Sequence, residues 1–188
     1  DMVKNQLILP VLGFSTHSDR QIRGMWYKLM DEFCYYPEFR SQLEDSENSI
    51  NFFKRAIHEP DTEFAHNLVG ALRHLCLSPI ILQRLMDQLT IPKLFEIYSQ
   101  VLEYGDKDVY DDVLGTLNHF ATQTLTRSHV AKNQNIIAVL LSSITKEDPD
   151  ICNQAGKLFV DLLEDRENGG ISIFEGFDIF LDAVVAYE

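Results

Sequence analysis

Residues 68–76 read LVGALRHLC, and residues 113–121 read VLGTLNHFA. Leucine falls on leucine, glycine on glycine and histidine on histidine, 45 residues apart and with the same apolar spacing. A chain that repeats itself at such a period is constrained to build one supersecondary unit several times and to stack the copies, because a single unit cannot bury its own apolar face. With Leu72 as the reference, the equivalent positions are Met30, Leu72, Leu117 and Phe159, at spacings of 42, 45 and 42 residues.

The rest of the chain keeps that register. Eleven residues before each reference stand Asp19, Asp61, Asp106 and Asp148. Each precedes an apolar-periodic segment, where a carboxylate accepts from the first free backbone N–H groups and suits the helix dipole. Pro149 follows Asp148, and proline is favoured as a first helical residue. Eight before the reference come Ile22, Phe64, Val109 and Ile151; four before come Trp26, Leu68, Val113 and Ala155; three after come Phe33, Leu75, Phe120 and Leu162. At 3.6 residues per turn these offsets share one side of a helix, which each copy is expected to bury. A second apolar helix follows, marked by Phe53, Phe95, Leu140 and Leu181. Shorter segments such as SPIILQRLMDQL (78–89) and RSHVAKNQN (127–135) lie between. The expected unit is two longer helices with a short helix or turn between them.

The segment NQLILPVLGF (5–14) resembles LTIPKLFEIY (89–98), with Pro10 and Pro92 early in each. It is the second helix of a further unit. The expected organisation is one domain over 1–188: a half repeat at 1–17 and repeats at about 18–59, 60–104, 105–146 and 147–188. The chain opens at Asp1, and we expect it to be a fragment of a longer protein.

These segments resemble the armadillo repeat. That consensus runs approximately A-x-W-A-L-x-N-L-A, followed after a turn by a G-x-I/V-P-x-L-x-x-L-L helix. This chain has GALRHLC, GTLNHFA, LTIPKLFEIY and NIIAVLLSSI in the corresponding places. The resemblance covers nearly the whole chain, and a HEAT-like assignment is the alternative. It implies an all-α, right-handed α-solenoid of about four repeats of ~42 residues plus the half repeat. It also implies that the Asn-bearing helix lines a concave groove. The Asn-equivalent positions are then Glu32, His74, His119 and Asp161, and one turn earlier stand Lys28, Gly70, Gly115 and Lys157. Asn67, Arg73, Asp112 and Asn118 lie close by. The Trp–Asn ladder of nuclear-import receptors is absent, which argues against a nuclear-localisation-signal receptor. His74 and His119 are suited to accept hydrogen bonds or to change charge at about pH 6.5; the plain alternative is polar residues on a solvated face. For Gly70 and Gly115, close approach of a neighbouring helix is preferred to room for a partner backbone.

The formal net charge of −13 argues against a nucleic-acid backbone or an anionic membrane as partner, and fits a basic or mixed-charge protein segment. Arg20, Arg23, Lys28, Lys54 and Arg55 make the first unit relatively basic. The longest apolar run, IIAVLL at 136–141, is far short of the ~20 residues a membrane span needs. Cys34, Cys76 and Cys152 lie far apart without a CxxC, the usage of reduced intracellular thiols. Cys34 and Cys76 share one repeat position and read as small core residues. The six histidines offer no HxxxH pair, and GxSxG, a Walker glycine loop and GxGxxG are all missing. No catalytic, metal or cofactor site is expected.

The functional expectation is a non-catalytic, intracellular (cytoplasmic or nuclear) scaffold or adaptor module. It would bind a protein or peptide through the groove residues Lys28, Glu32, Asn67, Arg73, His74, Asp112, Asn118, His119, Lys157 and Asp161. The alternatives are a HEAT-like self-association module and, further off, a helical-repeat enzyme such as a DNA-repair glycosylase, which would need a basic concave face.

Overall fold

A computed structural model describes residues 10–45, 47–58, 60–85, 90–104, 107–144 and 147–164. Among these residues there is no strand. The long–short–long order of helices recurs three times. It runs α1 (Arg20–Cys34), α2 (Pro37–Glu44), α3 (Glu47–His58); then a 3-10 turn (Thr62–Phe64) leading into α4 (Ala65–Leu75), α5 (Pro79–Leu85), α6 (Thr90–Tyr104); then α7 (Lys107–Thr122), α8 (Thr124–Lys132), α9 (Gln134–Ile144). A last long helix, α10 (Pro149–Glu164), opens the next round. The chain divides into two compact units, 1–97 and 98–188.

The register aspartates start the first helices. Asp19 accepts from the backbone N–H of Gln21 at 2.8 Å, and Asp61 from that of Glu63 at 3.4 Å. Asp148 accepts from Asp150 and Ile151 at 2.9 and 3.3 Å, with Pro149 as the first helical residue. Each bond satisfies an otherwise orphaned N–H. Asp106 and Leu181 lie outside the described residues. Ser78 and Asn133 do the same for α5 and α9, accepting from Ile81 and Ile136.

In the first unit α1 packs against α4, and α3 against α5. The core is centred on Trp26, Met30, Phe53, Leu72 and Leu75, all at most 2 % exposed. Trp26 meets Phe53 with ring centroids 5.7 Å apart. Glycines let α1 and α4 close together. The Phe64 ring sits against Gly24, and the Asp31 carboxylate occupies the space a Cβ on Gly70 would need. In the second unit α7 packs against α8 and α10, and α9 against α10. Val113, Leu117, Phe120, Leu140, Ala155 and Leu162 are fully buried.

The stripe departs from expectation at Ile22, Phe64 and Val109, which are half-buried, and most at Phe33. Leu75, Phe120 and Leu162 are buried, but Phe33 is 37 % exposed. On α4 and α10 that side of the helix meets the preceding first helix; on α1 the Phe33 ring meets Phe39 of α2, with centroids 5.5 Å apart. The backbone of Cys34 and Tyr35 at the end of α1 is also tied down by Arg40 of α2, whose guanidinium donates to both carbonyls at 2.7 Å.

Candidate functional site

The register positions two before and two after each reference fall together on the first helices. On α1, Lys28 and Glu32 are exposed. On α4 the equivalent pair is Gly70 and His74. Gly70 is buried under Asp31, so this position presents no side chain. His74 is half-buried, its ring edge-on to Tyr35 at 5.3 Å. Arg73 beside it is half-buried. Asn67 does not stand apart from the helix contact: its amide donates to the Asp31 carboxylate at 3.2 Å, bracing α1 to α4. The first unit therefore brings five of the candidate residues onto two packed helices, with Tyr35 and Asp31 as the links between them.

In the second unit Asn118 on α7 and Lys157 on α10 are exposed, whereas Asp112, Gly115, His119 and Asp161 are half-buried. The Asp112 carbonyl accepts from Thr116, and the Asp161 carbonyl accepts from the Arg127 guanidinium at 2.6 Å. The Nε2 of His119 is buried with no hydrogen-bond partner among the described residues. The side chains with most freedom to meet a partner are thus Lys28, Glu32, Asn118 and Lys157.

A second polar constellation was not legible as a group in the sequence. Arg20 on α1 donates to Asp61 at 2.9 and 3.2 Å and pairs with Glu63, and Arg23 reaches Asp61 at 3.4 Å. In the second unit Lys107 on α7 pairs with Asp148 at 3.0 Å and Asp150 at 2.8 Å. Arg20 follows the capping Asp19 by one residue and Lys107 stands in the same register, and each reaches the capping aspartate 41 residues on. The same carboxylate thus caps one helix and anchors the preceding one. The hydrogen bond from Arg20 leads in holding the Asp61 carboxyl below the usual carboxylate range, and that from Lys107 does the same for Asp148. The signal was the cation in register at Arg20 and Lys107, directly after two of the four register aspartates. A polar hollow of about 440 Å³ lies alongside, lined by Ser15, His17, Arg23, Tyr27, Arg55 and Asp61 among others. The basic character of this corner is largely spent on Asp61 and on backbone: Arg23 also donates to the carbonyls of His17 and Ser18.

Cys34 and Cys76 are fully buried, and burial pushes both thiols well above the ordinary range. Among the described residues no three His, Cys, Asp or Glu side chains are grouped as a metal site would need. No helix there is long and apolar enough to cross a membrane.

No family model and no curated protein matches this sequence. Solved structures do match. An engineered protein aligns with TM-score 0.60 at 12% identity, covering 95% of this chain and 69% of its own. Computationally designed armadillo repeat proteins for modular peptide recognition align with TM-score 0.60 at 10% identity, covering 93% and 69%. A designed armadillo repeat protein in complex with the peptide (KR)4 aligns with TM-score 0.57 at 10% identity, covering 94% and 70%. At these identities the likeness concerns the fold, which is all-α and of armadillo type.

Proposed function

We propose that this chain is a non-catalytic protein-interaction module of an intracellular protein, a scaffold or adaptor built of repeats at about 18–59, 60–104, 105–146 and 147–188. Its partner is a peptide or protein segment bound on the surface that lines the concave groove in armadillo proteins. The observation that carries the reading is the likeness, over more than nine-tenths of the chain, to designed armadillo proteins, of which one is in complex with a peptide and others are for peptide recognition. The register side chains Lys28 and Glu32 on α1, Asn118 on α7 and Lys157 on α10 support the reading, because each is exposed on a helix that the armadillo resemblance makes a groove-lining one. Side chains carried on packed helices spare the receptor the cost of ordering a loop on binding an extended peptide. With a net charge of −13, a basic or mixed-charge segment is favoured.

The test is affinity capture compared between wild type and a charge-reversed variant, Lys28→Glu with Glu32→Lys and Lys157→Glu, followed by titration of the captured protein in purified form. Circular dichroism checks that the variant is folded. A partner whose affinity falls at least about tenfold, roughly 1.4 kcal/mol, supports the groove. A partner that binds both forms equally places recognition elsewhere and sinks the site assignment.

A further inference from the structure

Of the cations that make the first unit relatively basic, Arg20 and Arg23 are paired with Asp61. Arg55, near the end of α3, is exposed and makes no ion pair or hydrogen bond among the described residues. It lines the polar hollow of about 440 Å³ beside Asp61. The walls of that hollow come from the turn before α1, from α1, from α3 and from the turn before α4, with Ser18, Tyr27, Arg55 and Asp61 as one residue from each. Arg23 and Tyr27 belong to the side of α1 that meets Asp61 and Phe64. The hollow thus lies between two successive repeat turns and not on the outer side of α1.

The repeat does not require a polar corner at this place. In the next round the register equivalents of Arg23, Tyr27 and Arg55 are Ala65, Val69 and Ile97, all at most 5 % exposed. On α7 the equivalents of Arg23 and Tyr27 are Tyr110 and Leu114, again buried. Where packing alone decides, these positions carry hydrophobic side chains. The first round carries two arginines and a hollow instead.

The lining is rich in donors. The Ser15 hydroxyl is buried with no hydrogen-bond partner among the described residues, and a buried donor without an acceptor is unfavourable. His17 accepts from the Asp19 N–H on Nδ1 at 3.0 Å, which leaves the proton of the neutral ring on Nε2 as a further donor. The Ser18 hydroxyl is uncommitted among the described residues, and Arg55 adds a planar fork of N–H groups. Asp61 is the carboxylate in the lining, and both its oxygens are taken. Oδ1 accepts from Arg20 and from the Glu63 N–H, and Oδ2 from Arg20 and Arg23. With His17 neutral, two arginines and one aspartate leave the lining one net positive charge. The complement of such a lining is a planar monoanion that only accepts.

We propose that this hollow is a second binding site, and that it takes a carboxylate presented by a peptide, as an Asp or Glu side chain or as the chain's C-terminal group. Arg55 supplies the charge and the fork, and Ser15, His17 and Ser18 supply neutral donors. A phosphate dianion is disfavoured, because it would leave excess negative charge in a molecule whose formal net charge is already −13. None of these four side chains is assigned to the groove, so failure here leaves the groove reading standing.

Heteronuclear NMR on the purified, isotope-labelled chain tests this at constant ionic strength. The signals to follow are the Arg55 Nε–Hε group and the backbone amides of Ser15 and Ser18. N-acetylaspartate N-methylamide offers a side-chain carboxylate, N-acetylglycine a terminal one, and the asparagine counterpart of the first has its shape without its charge. Saturable shifts in the millimolar range are expected with one or both carboxylates and not with the asparagine compound; the carboxylate that binds more tightly identifies the source. Arg55→Gln changes an exposed position, so circular dichroism should be unchanged, and binding should weaken at least about tenfold. Lys132→Gln, exposed on α8, should bind as wild type does. Shifts that stay linear with both carboxylates overturn the proposal. So does binding that survives Arg55→Gln, equal weakening in Lys132→Gln, or a tighter saturable response to inorganic phosphate. Should Arg55→Gln not fold, the wild-type shifts at Arg55 with the aspartate compound, set against the asparagine one, decide the matter alone.

Discussion

Substituting Gly24 by alanine sets a backbone gain against a steric cost, and the structure says which wins. Alanine inside a helix is favoured over glycine by about 1 kcal/mol. The new Cβ, however, would lie 2.7 and 2.9 Å from the Cε atoms of Phe64, with Cζ closer still. The ring is not free to swing aside. It is stacked on Tyr27, with centroids 5.9 Å apart at 19°, and the Arg20 guanidinium lies 5.9 Å above it. Overpacking of this kind costs about 1–3 kcal/mol, and displacing the ring forfeits part of an aromatic contact of about 0.5–1.5 kcal/mol. Gly24→Ala should therefore destabilise the chain by about 0.5–3 kcal/mol net of the helix gain. With Phe64→Ala already in place, the obstacle is gone and the same substitution should stabilise by about 1 kcal/mol. Urea denaturation followed by far-ultraviolet circular dichroism on the four proteins of this double-mutant cycle measures both steps. Equal effects of Gly24→Ala in the two backgrounds would refute the claim that Phe64 sets the spacing of α1 and α4.

Leu117 is fully buried on α7, and Leu117→Ala should cost about 2–5 kcal/mol in the same urea assay, while Asn118→Ala next to it stays within about 0.5 kcal/mol. Asp61 titrates below its ordinary range in the folded chain, led by the hydrogen bond from Arg20, so its contribution is fully present above the ordinary carboxylate pKa of about 4 and is lost as pH falls through the lower folded value. Thermal melts of wild type should fall between pH 5 and 3 more steeply than those of Asp61→Asn; parallel curves would count against the pairing. Native alkylation should modify half-buried Cys152 first, and Cys34 and Cys76 only at the rate of opening, because burial both hides them and disfavours their thiolates. Peptide mapping after a timed iodoacetamide pulse gives the order, and early labelling of Cys76 would contradict the packing around α4.

The helical register was legible because burial is periodic and the periodicity is written in residue type: Trp26, Leu68, Val113 and Ala155 announce a buried side whatever their neighbours do. The capping role of Asp19, Asp61 and Asp148 was legible for the same reason, since a cap acts within one turn of its own helix. What a residue does toward the next repeat was not. Asp61 reads as a cap, yet it also accepts from Arg20, 41 residues earlier, and Asn67 reads as a groove residue, yet it braces Asp31. Pairing across repeats depends on the azimuth at which two helices meet, a quantity that local pattern leaves open. Phe33 shows the limit most plainly. Its offset matches those of Leu75, Phe120 and Leu162, and those three are buried while Phe33 is 37 % exposed. The sequence pattern specifies which side of each helix is fit to be covered; a neighbouring helix must supply the cover. Phe33 is met from the short α2 helix, by Phe39 at 5.5 Å between ring centroids, and that contact leaves part of its ring in solvent.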